Sequence, residues 1–151
     1  MRTLCIVPCG NKKIWEKDIN AGPTQAKNVY IGSFAKKCRE YAQRFYADSW
    51  VILSAKYGFL FPDDIIEGPY NVTFNKKSTS PITIEELSIQ AKRKQLSEFN
   101  EIVVVGGRNY VKIAKEVFQG KKITEPLSSC AGMGFMMKKL KSAIDHNTLI
   151  E

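Results

Sequence analysis

Short apolar runs alternate along the chain with longer stretches in which apolar residues recur every three or four positions. The short runs predict four strands, at residues 4–8, 50–53, 101–105 and 122–127. The longer stretches predict helices at residues 30–47, 83–99, 108–119 and 135–144. Strands that alternate with helices are typical of a parallel sheet with right-handed crossovers. We therefore predict an α/β fold: a single three-layer domain over residues 1–151, with a mainly parallel sheet of about four strands flanked by helices.

Local signals refine the ends of these elements. Thr83 and Glu86 have the spacing of a capping box, which predicts that a helix begins directly after Thr83. Gly120 is a predicted helix stop, since glycine readily adopts the left-handed conformation that ends helices. Pro126 interrupts the fourth strand, and proline cannot donate a ladder hydrogen bond. This strand is therefore expected at an edge of the sheet.

Three segments between these elements have no clear period. Residues 14–29 contain Trp15 and mixed charges, and are long enough to be a functional flap. The apolar residues 59–61 are expected to form a short helical turn. Residues 62–82 are rich in polar residues, and we predict a mobile loop or lid there.

Polar residues and glycines follow every predicted strand directly. Because the carboxyl ends of parallel strands lie at one edge of a sheet, and open α/β sheets bind ligands outside that edge, we expect a ligand site there. The residues expected at this site are Cys9, Gly10, Lys12, Lys13, Ser54, Lys56, Tyr57, Asp63, Tyr70, Gly107, Arg108, Gly132 and Gly134.

Lys56 is the first catalytic candidate at this edge. A lysine at the end of a strand can be partly desolvated and act as a nucleophile or base, or it can hold an anion as a fixed charge. Asp63 would pair with Lys56 or polarise a water molecule. The alternative is that Lys56 extends into solvent and Asp63 begins a turn. Cys9 is a candidate thiolate nucleophile beside Lys12 or Lys13, although no strand-exit histidine is available as its base.

The glycines favour an anionic ligand. Gly107 precedes a predicted helix, and Gly132 and Gly134 flank the start of another, so backbone N–H groups there would face a phosphate or carboxylate. Close packing of helix against strand explains such glycines equally well. Neither a P-loop nor a dinucleotide-binding motif is present. No cofactor is predicted.

Composition and charge narrow the classes of partner. The 151 residues carry 23 Lys and Arg against 15 Asp and Glu, a formal net charge of +8, which favours polyanions such as nucleic acid or nucleotides. No apolar run reaches the length of a membrane span, and the first residues lack the features of a signal peptide, so we expect a cytoplasmic protein without membrane contact. Four cysteines, no Cys-x-x-Cys pair and one histidine predict free thiols and no metal site. The oligomeric state stays open.

Four motifs together resemble an uncharacterised bacterial and phage domain family. They are Pro8-Cys9-Gly10-Asn11-Lys12-Lys13, Leu53-Ser54-Ala55-Lys56-Tyr57-Gly58, Pro69-Tyr70 and Gly132-Met133-Gly134. The resemblance covers nearly the whole chain, and the combination is more specific than any one motif.

Two more distant resemblances imply a nucleic-acid role. The Tyr57-Gly58 segment with the following Pro-Asp and Pro-Tyr is similar to the peroxide-stress protein YaaA family, which is associated with DNA and limits iron-driven oxidative damage. The Pro8 to Lys13 segment resembles the lysine-transferring domain of archaeosine synthase, which is itself similar to the uracil-DNA glycosylase fold. That likeness points at Lys12 or Lys13, so Lys13 joins Lys56 and Cys9 as a catalytic candidate. Here Ile14-Trp15-Glu16 stands where that family has further Ser and His residues.

Together these observations predict a uracil-DNA glycosylase-like or Rossmann-like domain that binds a nucleobase, nucleotide or nucleic acid. The lysines and Arg108 would hold phosphate, Tyr57 or Tyr70 would stack on a base, and Ser54 would supply a hydrogen bond. As an enzyme, it would modify a base or nucleoside. The alternatives are a non-catalytic DNA-binding protein of the oxidative stress response, and a small-metabolite enzyme that uses Lys56 as a Schiff base.

Overall fold

The computed structural model describes residues 2–151, and over these residues seven strands form two sheets. In chain order the strands are β1 (Thr3–Pro8), β2 (Thr24–Gln25), β3 (Trp50–Ser54), β4 (Gly58–Leu60), β5 (Ile65–Ile66), β6 (Glu101–Val104) and β7 (Lys122–Thr124). The main sheet has the order β4-β3-β1-β6-β7, and β2 pairs with β5 in a separate antiparallel ribbon. In the main sheet only β3 and β4 are antiparallel neighbours. The predicted α/β fold with a mainly parallel sheet is confirmed, with five strands instead of about four.

Of the four predicted helices, three are shorter than predicted and the last one is longer, and two further short helices lie in the segment predicted as a flap. They are α1 (Ile14–Lys17), α2 (Ala26–Val29), α3 (Ser33–Phe45), α4 (Ile84–Arg93), α5 (Arg108–Val117) and α6 (Met133–Asp145). At α4 the Thr83 side chain accepts a hydrogen bond from the backbone N–H of Glu86 at 3.1 Å, which confirms the predicted cap. This helix ends at Arg93 and not near Phe99, because Gln95 adopts a φ of 63° and a 3-10 turn follows. Among residues 2–151, every helix is too short or too polar to span a bilayer.

Helices cover both faces of the sheet, which gives three layers. Along β1, Cys5 and Val7 point to one face, where they pack with α3, α6 and the short helices α1 and α2. Leu4 and Ile6 point to the other face, against α4 and α5. Since β1 is buried on both faces, it is an uninterrupted apolar run and does not alternate with polar residues.

The prediction of a short helical turn at residues 59–61 is wrong. Gly58, with a φ of +77°, lets the chain reverse tightly after β3 and return beside it as β4. Phe59 then packs into the face covered by α4 and α5, with its ring 5.7 Å from that of Phe118. Leu60 packs on the opposite face. Alternating burial of two large apolar residues favours a strand over a single helical turn.

Side chains from α4 complete the outer edge of β4. The Gln90 side chain accepts a hydrogen bond from the Phe59 N–H and donates one to the Tyr57 carbonyl, both at 2.9 Å. Lys94 donates to the Phe59 carbonyl. The Phe59 backbone groups that face away from β3 are therefore already hydrogen-bonded.

The two irregular segments pack against each other. The predicted flap contains α1, β2 and α2, and the Trp15 indole N–H donates to the Gly22 carbonyl at 2.9 Å. The loop at 62–82 contains β5 and a 3-10 turn at Lys77–Thr79, and β5 pairs with β2 of the flap. Mobility of this loop stays a prediction.

The strand order places a topological switch point between β1 and β6. The chain leaves β1 through α1, α2 and α3 toward β3 on one side, and leaves β6 through α5 toward β7 on the other. The segments leaving these two neighbouring strands therefore diverge to opposite faces of the sheet. In open α/β sheets, such a point opens a crevice outside the carboxyl ends of the strands.

Candidate functional site

A cleft of about 880 Å³ lies at this switch point. Its floor is formed by residues 8–12, which leave β1, and residues 107–110, which leave β6 and begin α5. The starts of α3 and α6 and the loop at 72–75 form its walls. The size is within the range of pockets that hold nucleotide-sized ligands.

One part of the cleft is cationic and contains two glycines. Lys12 and Arg108 are exposed and line the cleft from the ends of the two central strands. Gly10 adopts a φ of +77°, a conformation that other residues rarely take. Gly107 precedes the first turn of α5, whose N–H groups and positive dipole end favour an anion. This part of the cleft is suited to a phosphate or carboxylate.

The remaining walls of the cleft carry its aromatic and methionine side chains. Its aromatic side chains are Phe34 at the start of α3, Phe74 in the loop, and Tyr110 in α5. The Phe74 and Tyr110 rings meet edge to face at 5.9 Å, and the Asn109 side-chain amide donates to Asn75 at 2.7 Å. These contacts fasten the loop to α5. Three methionines of α6 line the opposite wall: Met133, Met136 and Met137.

A buried hydroxyl chain lies beside the cleft, at the end of β3. The Ser54 hydroxyl oxygen accepts hydrogen bonds from the backbone N–H groups of Lys56 and Tyr57, at 3.2 and 3.1 Å. The Ser54 and Tyr70 hydroxyls are 3.0 Å apart, and Tyr70 also contacts the hydroxyl of Tyr30. Tyr30 and Ser54 are fully buried. The loop at 62–82 thus sends one tyrosine into the end of the sheet.

The direction of these hydrogen bonds follows from the fact that each hydroxyl group has one proton to donate. Ser54 accepts twice, so its own proton goes to Tyr70. The fully buried Tyr30 hydroxyl also contacts Tyr70, and the arrangement in which Tyr30 donates to Tyr70 leaves its buried proton paired. The Tyr70 oxygen therefore accepts twice and its proton is left for a ligand or water. Burial raises the pKa of Tyr70 to about 12, opposed by the hydrogen bonds from Ser54 and Tyr30.

Lys13 is the buried lysine of the site, with an exposed fraction of 6%. Its backbone is fixed by a β-bridge to Tyr30 and by a hydrogen bond from its N–H to the Glu16 carboxylate at 2.6 Å. Its Nζ donates to the Asn11 carbonyl at 3.1 Å and lies 4.4 Å above the centre of the Tyr70 ring. Burial lowers the pKa of Lys13, and the nearby Cys9 and Glu16 oppose this shift.

Cys9 connects the buried chain to the cleft. Its side chain lines the cleft although only 6% of the residue is exposed, and its Sγ lies 3.4 Å from the Tyr110 hydroxyl. Burial raises the pKa of Tyr110 well above the ordinary range, and the neighbouring Cys9 adds to this shift. The thiol therefore contacts the Tyr110 phenol and is close enough to Lys13 to influence the pKa of that amine.

Two expectations for the site need correction. Lys56, expected to be partly desolvated, is exposed, with its Nζ 5.2 and 5.4 Å from the centres of the Tyr57 and Tyr70 rings. The desolvated lysine is Lys13, because the loop at 62–82 places Tyr70 over it. Asp63 does not pair with Lys56; it follows β4 at the end away from Gly58 and forms a 2.9 Å ion pair with Lys27.

All the other predicted residues except Gly134 fall into two groups. Cys9, Gly10, Lys12, Gly107, Arg108 and Gly132 line the cleft. The second group belongs to the hydroxyl chain or contacts it. Ser54 and Tyr70 are members of the chain, and Lys13 and Tyr57 contact the Tyr70 ring, with the Tyr57 and Tyr70 rings edge to face at 5.3 Å. Gly134 lies exposed in the first turn of α6 and does not line the cleft. Among residues 2–151, no three His, Cys, Asp or Glu side chains are grouped to hold a metal ion.

Sequence reasoning missed four aromatic residues of the site: Tyr30, Phe34, Phe74 and Tyr110. Tyr110 lies in the first turn of α5, three residues after Gly107. Because Gly107 was expected at the site, this spacing could have predicted that Tyr110 lies there too. Tyr30 was assigned to the predicted helix at residues 30–47, whereas it precedes α3 and is fully buried. Phe74 had no local signal, since its role depends on where the loop packs.

Comparison with known proteins gives a family and one curated relative. The model of the DUF6884 family, a family of unknown function, matches residues 4–142. An uncharacterised Bacillus subtilis protein, YfjM, is 42% identical over 146 residues, which cover 96% of this chain and 97% of the relative.

Proposed function

Because the chain belongs to the DUF6884 family of unknown function, we propose a function from the geometry of its own site: the cleft binds a nucleotide, either free or as part of a nucleic acid. One observation carries this proposal. A cleft of nucleotide size lies at the topological switch point of the sheet, with Lys12 and Arg108 on one part and aromatic walls on the other. The net charge of +8 favours the same class of ligand.

The two parts of the cleft suit the two ends of a nucleotide. Lys12, Arg108 and the backbone around Gly10 and Gly107 would hold the phosphate through charge-assisted hydrogen bonds. The base would pack between Phe34, Phe74, Tyr110 and the methionines of α6, a contact of about 1–3 kcal/mol per base in other proteins. This assignment replaces the stacking on Tyr57 or Tyr70 that we expected from the sequence, since neither of them lines the cleft.

The buried cluster beside the cleft supports chemistry on a base or nucleoside. Lys13, whose pKa is lowered by burial, would act as the base or nucleophile, and Tyr70 would donate the proton that its hydrogen-bond partners leave free. Cys9 lines the cleft and is close enough to influence the pKa of both Lys13 and Tyr70. We therefore prefer Lys13 to Lys56 as the reactive lysine.

The finer fold type is part of the same proposal. A uracil-DNA glycosylase-like or Rossmann-like type is supported by the parallel order β3-β1-β6-β7 and by the cleft at the strand ends. Both fold types place their ligands at that edge.

Calorimetric titration with nucleotides, the matched nucleosides and inorganic phosphate tests the binding proposal. We expect binding of nucleotides that weakens about 10- to 100-fold on removal of the phosphate or in Arg108→Ala, the usual effect of losing a charge-assisted contact. Lys112→Ala is the matched control: it removes one positive charge from the same helix, one turn beyond the cleft. No binding by any ligand, or equal losses in both variants, would overturn the proposal.

The net charge also favours the alternative, a DNA-binding protein without catalysis. Mass spectrometry of nucleosides recovered after incubation with DNA or RNA separates the two functions. A base-modifying enzyme converts a nucleoside, and Lys13→Met abolishes the conversion while binding is retained. If the nucleosides recovered from both DNA and RNA are unchanged, the catalytic function is contradicted and the binding function is retained.

A further inference from the structure

A second groove, of about 900 Å³, continues from the cleft along the other side of α6. The two share Cys130 and Ala131, which precede this helix. Met133, Met136 and Met137 face the cleft, whereas Phe135, Lys138 and Lys139 face the groove. The helix is therefore a ridge with a ligand-sized depression on each side, and the loop before it is the passage between them.

The groove combines an exposed aromatic ring with positive charge. Phe135 is 63% exposed, although it is one of the largest apolar side chains of the helix. Lys138 is exposed, and no carboxylate among residues 2–151 forms an ion pair with it. Lys139 is anchored by the Pro126 carbonyl at 3.1 Å and Ser129 at 3.4 Å, so its ammonium is held at the edge of the groove. Stacking rings beside cations are the usual means of binding single-stranded nucleic acid.

Resting on the nucleotide-binding function proposed above, we propose that the ligand is a single-stranded nucleic acid that runs from the cleft over residues 130–131 into this groove. One nucleotide occupies the cleft, and the next bases pack on Phe135 with their phosphates near Lys138 and Lys139. A free mononucleotide fills only the first half of the path. The groove holds about 900 Å³, which is room for only a few nucleotides, and the Glu151 carboxylate that also lines it repels phosphate.

A duplex does not fit this arrangement. Its bases are stacked on each other and paired, so the exposed ring of Phe135 and the apolar walls of the cleft would have no base to contact. The charge alone attracts both forms, but only an unpaired strand uses the aromatic part of the path.

A length series of oligonucleotides tests the path. Fluorescence anisotropy with labelled DNA and RNA strands of about one to eight nucleotides, and with a matched duplex, gives the affinity at about 50 and 200 mM salt. We expect affinity to rise at least about 10-fold from one to about four nucleotides and then level off. The slope of log affinity against log salt should steepen by about 0.7 for each phosphate gained.

Variants of the groove separate this proposal from the function on which it rests. Phe135→Ala should weaken oligonucleotide binding about 5- to 150-fold and leave mononucleotide binding unchanged, since its ring touches only the continuation of the strand. Lys138→Ala should reduce the salt slope by about 0.7. The controls are Ile19→Ala, which removes another exposed apolar side chain, and Lys92→Ala, which removes an exposed lysine on α4.

Each contrary result has one meaning. Mononucleotide binding that depends on Arg108 but does not strengthen with length, tighter binding of the duplex, or groove variants that behave like their controls would overturn the strand path and leave the nucleotide function intact. Oligonucleotide binding that depends on Phe135 but not on Arg108 would instead overturn the cleft as the nucleotide site, and the continuous path with it.

Discussion

At Lys13 an amino group is buried where its charge has little solvent around it. The Asn11 carbonyl and the face of the Tyr70 ring are poor substitutes for water, and this is why burial lowers its pKa. The Lys56 Nζ lies 5.4 Å from the centre of the same ring, against 4.4 Å for Lys13, but Lys56 is exposed to solvent. Both lysines follow a strand of the sheet, but they differ in chemistry because only Lys13 is buried.

The buried amine should give stability a recognisable dependence on pH. Between the lowered pKa of Lys13 in the folded state and the ordinary value near 10.4 in the unfolded state, only the unfolded chain holds this proton. Stability therefore rises with pH across that window relative to Lys13→Met, in which the group is absent. Urea unfolding of both proteins between about pH 7 and 11 measures the difference. Parallel curves would show that the amine titrates alike in both states.

The hydroxyl chain should be sensitive to the loss of its central member. Tyr70→Phe removes the acceptor of the fully buried Tyr30 hydroxyl, which leaves that donor unpaired at a cost of about 1–3 kcal/mol. Tyr57→Phe is the control, because the Tyr57 hydroxyl has no hydrogen-bond partner among residues 2–151. Chemical denaturation compares the two, and adding Tyr30→Phe to Tyr70→Phe should recover part of the loss. Equal stability of the two single variants would contradict the assigned chain.

The sequence allowed part of this site to be predicted. Cys9, Gly10, Lys12, Gly107 and Arg108 were found because each follows a strand, and strand order brings such residues together whatever their side chains. The aromatic walls and the choice between two lysines were not found. They depend on where the loop carrying Tyr70 and Phe74 packs, and no local pattern encodes that.

Among the elements, long periodic segments were the predictable ones. The helices α3 to α6 and the strands β1, β3 and β6 present enough repeats to identify their type. The strand β4 has three residues, and the ribbon of β2 and β5 has two in each strand, so no repeat exists to recognise. Their conformation is set by pairing with another strand, and the sequence alone does not show which strand that is.

The turn into β4 should depend on a glycine. In Gly58→Ala the new methyl would meet the Gln90 Oε1 at 2.2 Å, at a φ of +77°. Both the strained backbone and the displaced Gln90 hydrogen bonds oppose it, and we expect a loss of about 1–3 kcal/mol in unfolding free energy. At Gly68, where no atom lies within 4 Å of the added carbon, the same change should cost under about 0.5 kcal/mol. Thermal or urea unfolding distinguishes the two variants.

Across the whole molecule, the four cysteines differ in how deeply they are buried. All are free thiols, Cys5 and Cys38 fully buried within the layer of α3, Cys9 nearly so at the cleft, and Cys130 half-buried where cleft and groove meet. Burial raises the pKa of both Cys5 and Cys38. The thiols therefore report separately on the core and on the site.

Thiol labelling of the native protein should follow that order. We expect Cys130 to react first, Cys9 more slowly, and Cys5 and Cys38 only when the protein unfolds, because reaction needs an accessible thiolate. Mass spectrometry of digested samples assigns each label. Early labelling of Cys5 or Cys38 would contradict the packing of α3 on the sheet. Saturation with a nucleotide should slow labelling of Cys9 in the native protein, because the ligand would cover the cleft that Cys9 lines.

The hydrogen bonds on the outer side of β4 have a consequence for contacts between molecules. A sheet that ends in a strand with unpaired N–H and C=O groups invites another chain to add to it, which is a route to aggregation. Here Gln90 and Lys94 already bond the outward groups of Phe59. At the opposite edge, β7 has only three residues, and Pro126 follows two positions later. Both edges of the sheet therefore disfavour the addition of a further strand. At β4 the outward backbone groups of Phe59 are already hydrogen-bonded, and at β7 the edge strand is short.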